Sequence, residues 1–121
     1  MAKLLLDKGA NVNAQGGVYG NAFQAASFKG HEQVVNLLLD KGANVNAQGR
    51  RYGNALQAAS LGGCEQVVNL LLDKGANVNA QGGEYGNALQ AASLKGHEQV
   101  VNLLLDKGAG PRGGEISSLL L

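Results

Sequence analysis

Tryptophan is absent from this chain, and proline and cysteine each occur once. With aromatic residues at only 4%, the core has to be aliphatic, built from Leu, Val and Ala. The single cysteine, Cys64, excludes an internal disulfide and suits a reducing compartment. A net charge of +1 supplies no steering field for nucleic acid or for an anionic membrane. No run approaches the roughly 18–20 apolar residues needed to cross a bilayer. The opening Met1-Ala2-Lys3-Leu4-Leu5-Leu6 is too short for a signal peptide and runs at once into Asp7-Lys8. These absences together predict a soluble protein of the cytoplasm or nucleus, with neither nucleic acid nor membrane as partner.

What the chain does have is repetition. Tyr19, Tyr52 and Tyr85 open the same phrase, Tyr-Gly-Asn-Ala-(Phe/Leu)-Gln-Ala-Ala-Ser, every 33 residues. Leu37 to Ala43 recurs from Leu70 to Ala76 and from Leu103 to Ala109. The 19 glycines fall mostly at fixed places in the phrase, so they read as turn residues and not as linker. A fixed period of this size marks a stack of small units, none able to bury its apolar face alone. The chain divides accordingly into a truncated first unit (1–15), three units (16–48, 49–81 and 82–109) and an atypical tail (110–121) that is a candidate cap.

The middle unit shows why each piece forms. Asn54 is a good N-cap for a short helix from Ala55 to Leu61, because its side-chain oxygen can accept from a free first-turn N–H. Ala58 and Ala59 on that helix permit close approach of a neighbour. Gly62-Gly63 breaks it, and a second helix runs from Glu65 to Lys74, ended by Gly75 as a left-handed cap. Glu65 in the first turn and Lys74 in the last suit the helix dipole. Val67, Val68, Leu70, Leu71 and Leu72 wrap most of the way round, so neighbouring units have to cover them on several sides. Ala76 to Gly86 lacks helical period and is rich in Asn and Gly, as a projecting hairpin loop should be.

Helix, turn, helix and hairpin loop in this period resemble the ankyrin repeat. Gly30 to Ala47 is similar to the second half of such a repeat at nearly every position. The first half departs from it: Asn21-Ala22-Phe23-Gln24, Asn54-Ala55-Leu56-Gln57 and Asn87-Ala88-Leu89-Gln90 stand where the family usually carries Thr-Pro-Leu-His. The Tyr-Gly-Asn-Ala-Leu-Gln-Ala-Ala-Ser phrase also resembles fungal ankyrin arrays such as those at the end of NACHT-type receptors. The resemblance implies an all-α solenoid that recognises another protein through its concave groove, without catalysis, cofactor, metal or small-molecule substrate.

Comparing units with one another suggests where a partner would sit. The first two differ at Gly17/Arg50, Val18/Arg51, Phe23/Leu56, Phe28/Leu61, Lys29/Gly62 and His31/Cys64. The third carries Gly83, Glu84, Leu94 and Lys95 at the corresponding variable places. Apart from Phe23/Leu56, a core position, these fall at the hairpin tip or around the end of the first helix. The family resemblance puts both regions on the concave face. Gly17, Val18, Phe28, Lys29, Arg50, Arg51, Leu61, Gly62, Gly83, Glu84, Leu94 and Lys95 are therefore the candidate contact residues; unconstrained drift at exposed sites is the alternative. Phe28, Leu61 and Leu94 would lie in a row, either as an apolar patch or partly buried between helices. Glu84 is placed to neighbour the arginines.

His31, Cys64 and His97 occupy equivalent places one unit apart, too far to converge on one ion. A bond into the turn between helices is the expected role. Asn36, Asn69 and Asn102 form a candidate polar ladder along the second helices. The ends look uncapped: Leu103, Leu104 and Leu105 would face water unless the tail, further repeats or another copy covered them. Head-to-tail self-association, as a structural assembly, is thus a second reading; a repeat-idealised scaffold without native ligand is a third.

Overall fold

The computed structural model describes residues 22–49 and 51–110. Six helices lie among them: α1 (Ala22–Lys29), α2 (Glu32–Asp40), α3 (Ala55–Gly62), α4 (Glu65–Asp73), α5 (Ala88–Leu94) and α6 (Glu98–Asp106). No strand occurs among the described residues, only an isolated antiparallel bridge between Gly82 and Gly86. The architecture is an all-α stack of three helix pairs, each joined to the next by a long loop.

The local signals act as the sequence predicts. The Asn54 side chain accepts from the Gln57 N–H at 2.8 Å, and Gln57 Oε1 accepts from the Asn54 N–H at 2.7 Å. This reciprocal pair satisfies two donors that α3 would otherwise leave bare. On α5 the Asn87 side chain makes the first of these two bonds, accepting from the Gln90 N–H at 2.8 Å. Gly75 takes φ +95°, the left-handed turn that lets the Ala76 N–H reach back to the Leu71 carbonyl at 2.9 Å.

Packing follows from side-chain size. The alanine-rich first helices, α1, α3 and α5, lie close against one another, whereas α2, α4 and α6 stand further apart. Every residue of α3 from Ala55 to Leu61 is buried, because a helix pair covers it on each side. Val67, Val68 and Leu71 of α4 join this core, with Leu70 and Leu72 partly buried. The expectation for Leu103, Leu104 and Leu105 needs correction: Leu104 is fully buried, and its neighbours are half-buried. On α6 the Val100 and Leu104 face turns inward onto the rest of the core, leaving Asn102 outside.

Side chains stitch the pairs together. Gln24 Nε2 on α1 donates to the Ala47 and Gly53 carbonyls, both at 2.9 Å. Gln57 Nε2 on α3 donates to Gly82 at 3.0 Å and to Gly86 at 2.8 Å. In the loops, Asn46 donates to the Gly75 carbonyl at 3.2 Å and accepts from the Asn77 N–H at 2.8 Å. Asn79 repeats this on the Gly108 carbonyl (3.1 Å) and Gly110 N–H (2.9 Å). Among the described residues the asparagine ladder therefore runs through the loops, and not along the second helices at Asn36, Asn69 and Asn102.

Candidate partner-binding surface

The end of α1 meets the loop that precedes the next pair. Phe28, near the C-terminus of α1, stacks on Tyr52 with ring centroids 5.1 Å apart and planes at 23°. Tyr52 stacks in turn on Tyr85, at 6.2 Å and 9°. Offset stacking of this kind adds to area burial and fixes the loops against the helices. The tyrosines thus form a ladder along the stack, and Phe28 extends it onto α1. The link between Phe28 and Tyr52 was not foreseen; its signal was the recurrence of an apolar residue at the end of every first helix.

Charges flank this ladder. Lys29 Nζ stands 5.5 Å from the centre of the Phe28 ring, and the Arg51 guanidinium carbon stands 5.5 Å from that of Tyr52. Arg51 Nε donates to Glu84 Oε2 at 3.2 Å, and the Arg51 carbonyl accepts from the Glu84 N–H at 2.7 Å. Tyr52, then Glu84, raise the Arg51 pKa above its ordinary value, so the guanidinium stays charged. Arg51 and Glu84 do face each other across two units, as the sequence suggests. Both side chains remain largely in solvent, at 48% and 60% exposure, so the pair marks the surface more than it stabilises the fold.

The other candidates separate. Lys29, Leu94 and Lys95 are exposed, Leu94 to 67%. Leu61 is only 5% exposed, which removes it from any surface strip and interrupts the row with Phe28 and Leu94. Gly62 is exposed, yet a Cβ there would run into the Phe28 carbonyl oxygen, so packing already accounts for glycine at this place. Gly83 has a similar reason: its φ is +65°, and a Cβ would stand 2.7 Å from the Arg51 carbonyl oxygen. Gly17, Val18 and Arg50 lie outside the described residues.

Cys64 and His97 act at the same junction. The Cys64 thiol donates to the Phe28 carbonyl at 3.4 Å, and His97 Nε2 stands 2.9 Å from the Leu61 carbonyl. Each satisfies a carbonyl at the end of the preceding first helix, which the helix itself leaves open. The bond crosses between helix pairs and does not close the local turn. Burial pushes the Cys64 thiol up from its ordinary pKa, which weakens it as a nucleophile. A shallow depression of about 290 Å³ lies beside His97, lined by Gly63, Glu65, Glu98 and Gln99 among others. It brings together carboxylates, an amide and an imidazole already engaged with a carbonyl. None of the described helices is long and apolar enough to cross a membrane.

Residues 23–113 match the family model for ankyrin repeats, in three copies. No curated protein matches the chain.

Proposed function

Because the chain belongs to the ankyrin repeat family, whose repeats are generally protein–protein interaction modules and typically non-enzymatic, we propose that it recognises a partner protein across the first-helix ends and the loops facing them. The observation that carries this reading is the Phe28–Tyr52 stack. It joins the two sequence regions in which the units differ, with Lys29 and Arg51 beside the two stacked rings. Lys29, Arg51, Glu84 and Lys95 are the exposed side chains that would discriminate between partners. The stacked rings beneath them are held by the fold and lose little entropy on binding.

Charge reversal tests the proposal without touching the core. A protein retained by the wild-type chain should be lost with Lys29→Glu/Arg51→Glu, while helical content is unchanged. Arg51→Glu/Glu84→Arg keeps an ion pair but inverts it, and should also weaken the complex. Asn69→Ala, on the exposed side of α4, should leave it intact. Retention by both charge variants, or equal loss with Asn69→Ala, would move the site elsewhere.

A further inference from the structure

Two cations on the strip between the first-helix ends and the loops are held by rings. Lys29 Nζ stands 5.5 Å from the centre of the Phe28 ring, and the Arg51 guanidinium carbon 5.5 Å from that of Tyr52. An aromatic face carries the negative part of the ring quadrupole, and its edge the positive part. Tyr52 is stacked on Phe28 from the unit before it and on Tyr85 from the unit after, at 23° and 9° between planes. The negative faces are therefore taken up by neighbouring rings and by the two cations. The half-buried rings are left with their edges to offer a ligand, so rings and cations present the same sign to solvent.

The carboxylate on this strip is Glu84. It meets Arg51 through Nε at 3.2 Å, one of the five donors of a guanidinium, so the two terminal nitrogens stand outside that bond. Lys29 is exposed and makes no ion pair among the described residues. Lys95, exposed at the place equivalent to Lys29, adds a further cation. Glu65 and Glu98 open α4 and α6 and line the depression beside His97, and among the described residues neither pairs with Arg51. Lys29, Arg51 and Lys95 thus stand against a single carboxylate that is already shared.

On the reading of this surface as the partner site, we infer that the segment it takes is acidic, with one Asp or Glu carboxylate on the terminal nitrogens of Arg51 and another on Lys29 Nζ. A guanidinium can take a carboxylate through two parallel bonds, which adds orientation to attraction. Both cations are already positioned by a ring, so less side-chain freedom is lost when the segment binds. Glu84 competes with the incoming carboxylate for the same guanidinium and so holds the affinity down. A neutral or basic segment would gain nothing from Lys29. The charges lie at the surface, so they act on the rate of encounter and are screened by salt.

Selection of a random peptide library, displayed on phage, against the full chain tests the charge class. Enriched peptides should carry more Asp and Glu than Lys and Arg, and the same peptides made synthetically should bind more weakly as sodium chloride is raised. Lys29→Glu/Arg51→Glu should weaken them about tenfold or more, with unchanged circular dichroism. Glu84→Gln should tighten them about twofold to fivefold, because the competing carboxylate is gone. Enrichment of neutral or basic peptides whose affinity still changes in Lys29→Glu/Arg51→Glu overturns the acidic segment and leaves the surface standing. So does a Glu84→Gln chain that fails to bind acidic peptides more tightly. Peptides of any charge that bind Lys29→Glu/Arg51→Glu as well as wild type remove the surface itself. A selection that enriches no peptide overturns the inference too. If the double variant loses helical content, Lys29→Gln/Arg51→Gln takes its place, with a loss in the same direction.

Discussion

Gln57 and Gly86 are joined across the boundary between the second and third helix pairs: the Gln57 side-chain amide donates to the Gly86 carbonyl at 2.8 Å. The same amide group accepts from the Asn54 N–H and so caps its own helix. One side chain thus terminates a helix and fastens the next loop to it. Deleting it strips the buried Asn54 N–H and the part-buried Gly82 carbonyl of this partner, whereas the Gly86 carbonyl keeps the Gly82 N–H at 2.8 Å; a buried group left unpaired costs about 1–3 kcal/mol.

Gln57→Ala is therefore expected to cost about 3 kcal/mol in chemical denaturation. Gln90→Ala, at the exposed equivalent place, should fall within about 0.5 kcal/mol of wild type at low protein concentration. Equal losses would show that the bond between pairs is not what the glutamine contributes.

The aliphatic core should respond in the same graded way. Leu71 is fully buried between neighbours, so Leu71→Ala is expected to cost about 2–5 kcal/mol. Leu94→Ala should change stability by no more than about 0.5 kcal/mol. Thermal or urea midpoints decide this, and a small loss at Leu71 would mean that α4 is not held by its neighbours.

At Gly62, two effects oppose each other. Alanine is a better helix former than glycine by about 1 kcal/mol, but its Cβ would collide with the Phe28 backbone carbonyl. Backbone cannot rotate away as a flexible side chain does, so Gly62→Ala is expected to lower stability by about 1–3 kcal/mol. A raised melting temperature would show that α1 and α3 separate freely. At the corresponding place in the third pair, Lys95 is the C-cap of α5.

Cys64 should make stability fall at alkaline pH. Its folded-state pKa is raised by burial, and only the neutral thiol can donate to the Phe28 carbonyl. The contribution is intact below the unfolded thiol's pKa of about 8.5 and is lost as pH rises through the higher folded-state value. The melting temperature of the wild type should drop relative to Cys64→Ala across that window. Reaction with a thiol-specific disulfide reagent should also titrate above the range of a free cysteine. Parallel melting curves for the two proteins throughout would remove Cys64 from the junction.

Most of what is local was legible from the residues alone. Asn54 as a cap, Gly75 as a left-handed terminator and the apolar wrap of Val67, Val68 and Leu71 are settled within a few residues, by hydrogen-bond geometry and helical period. The nearness of Arg51 and Glu84 was legible too, since equivalent loop positions in a regular stack are neighbours. Contacts between unlike parts of different units were not legible, because they depend on how far one pair is offset and rotated against the next. That offset places Tyr52 under Phe28, aims Cys64 and His97 at carbonyls of the preceding pair, and leaves no room for a side chain at Gly62. It also decides which of two identical-looking leucines is surface. Leu61 and Leu94 occupy equivalent places in nearly the same phrase, yet one is buried and the other bare, because among the described residues only α3 has a helix pair on each side.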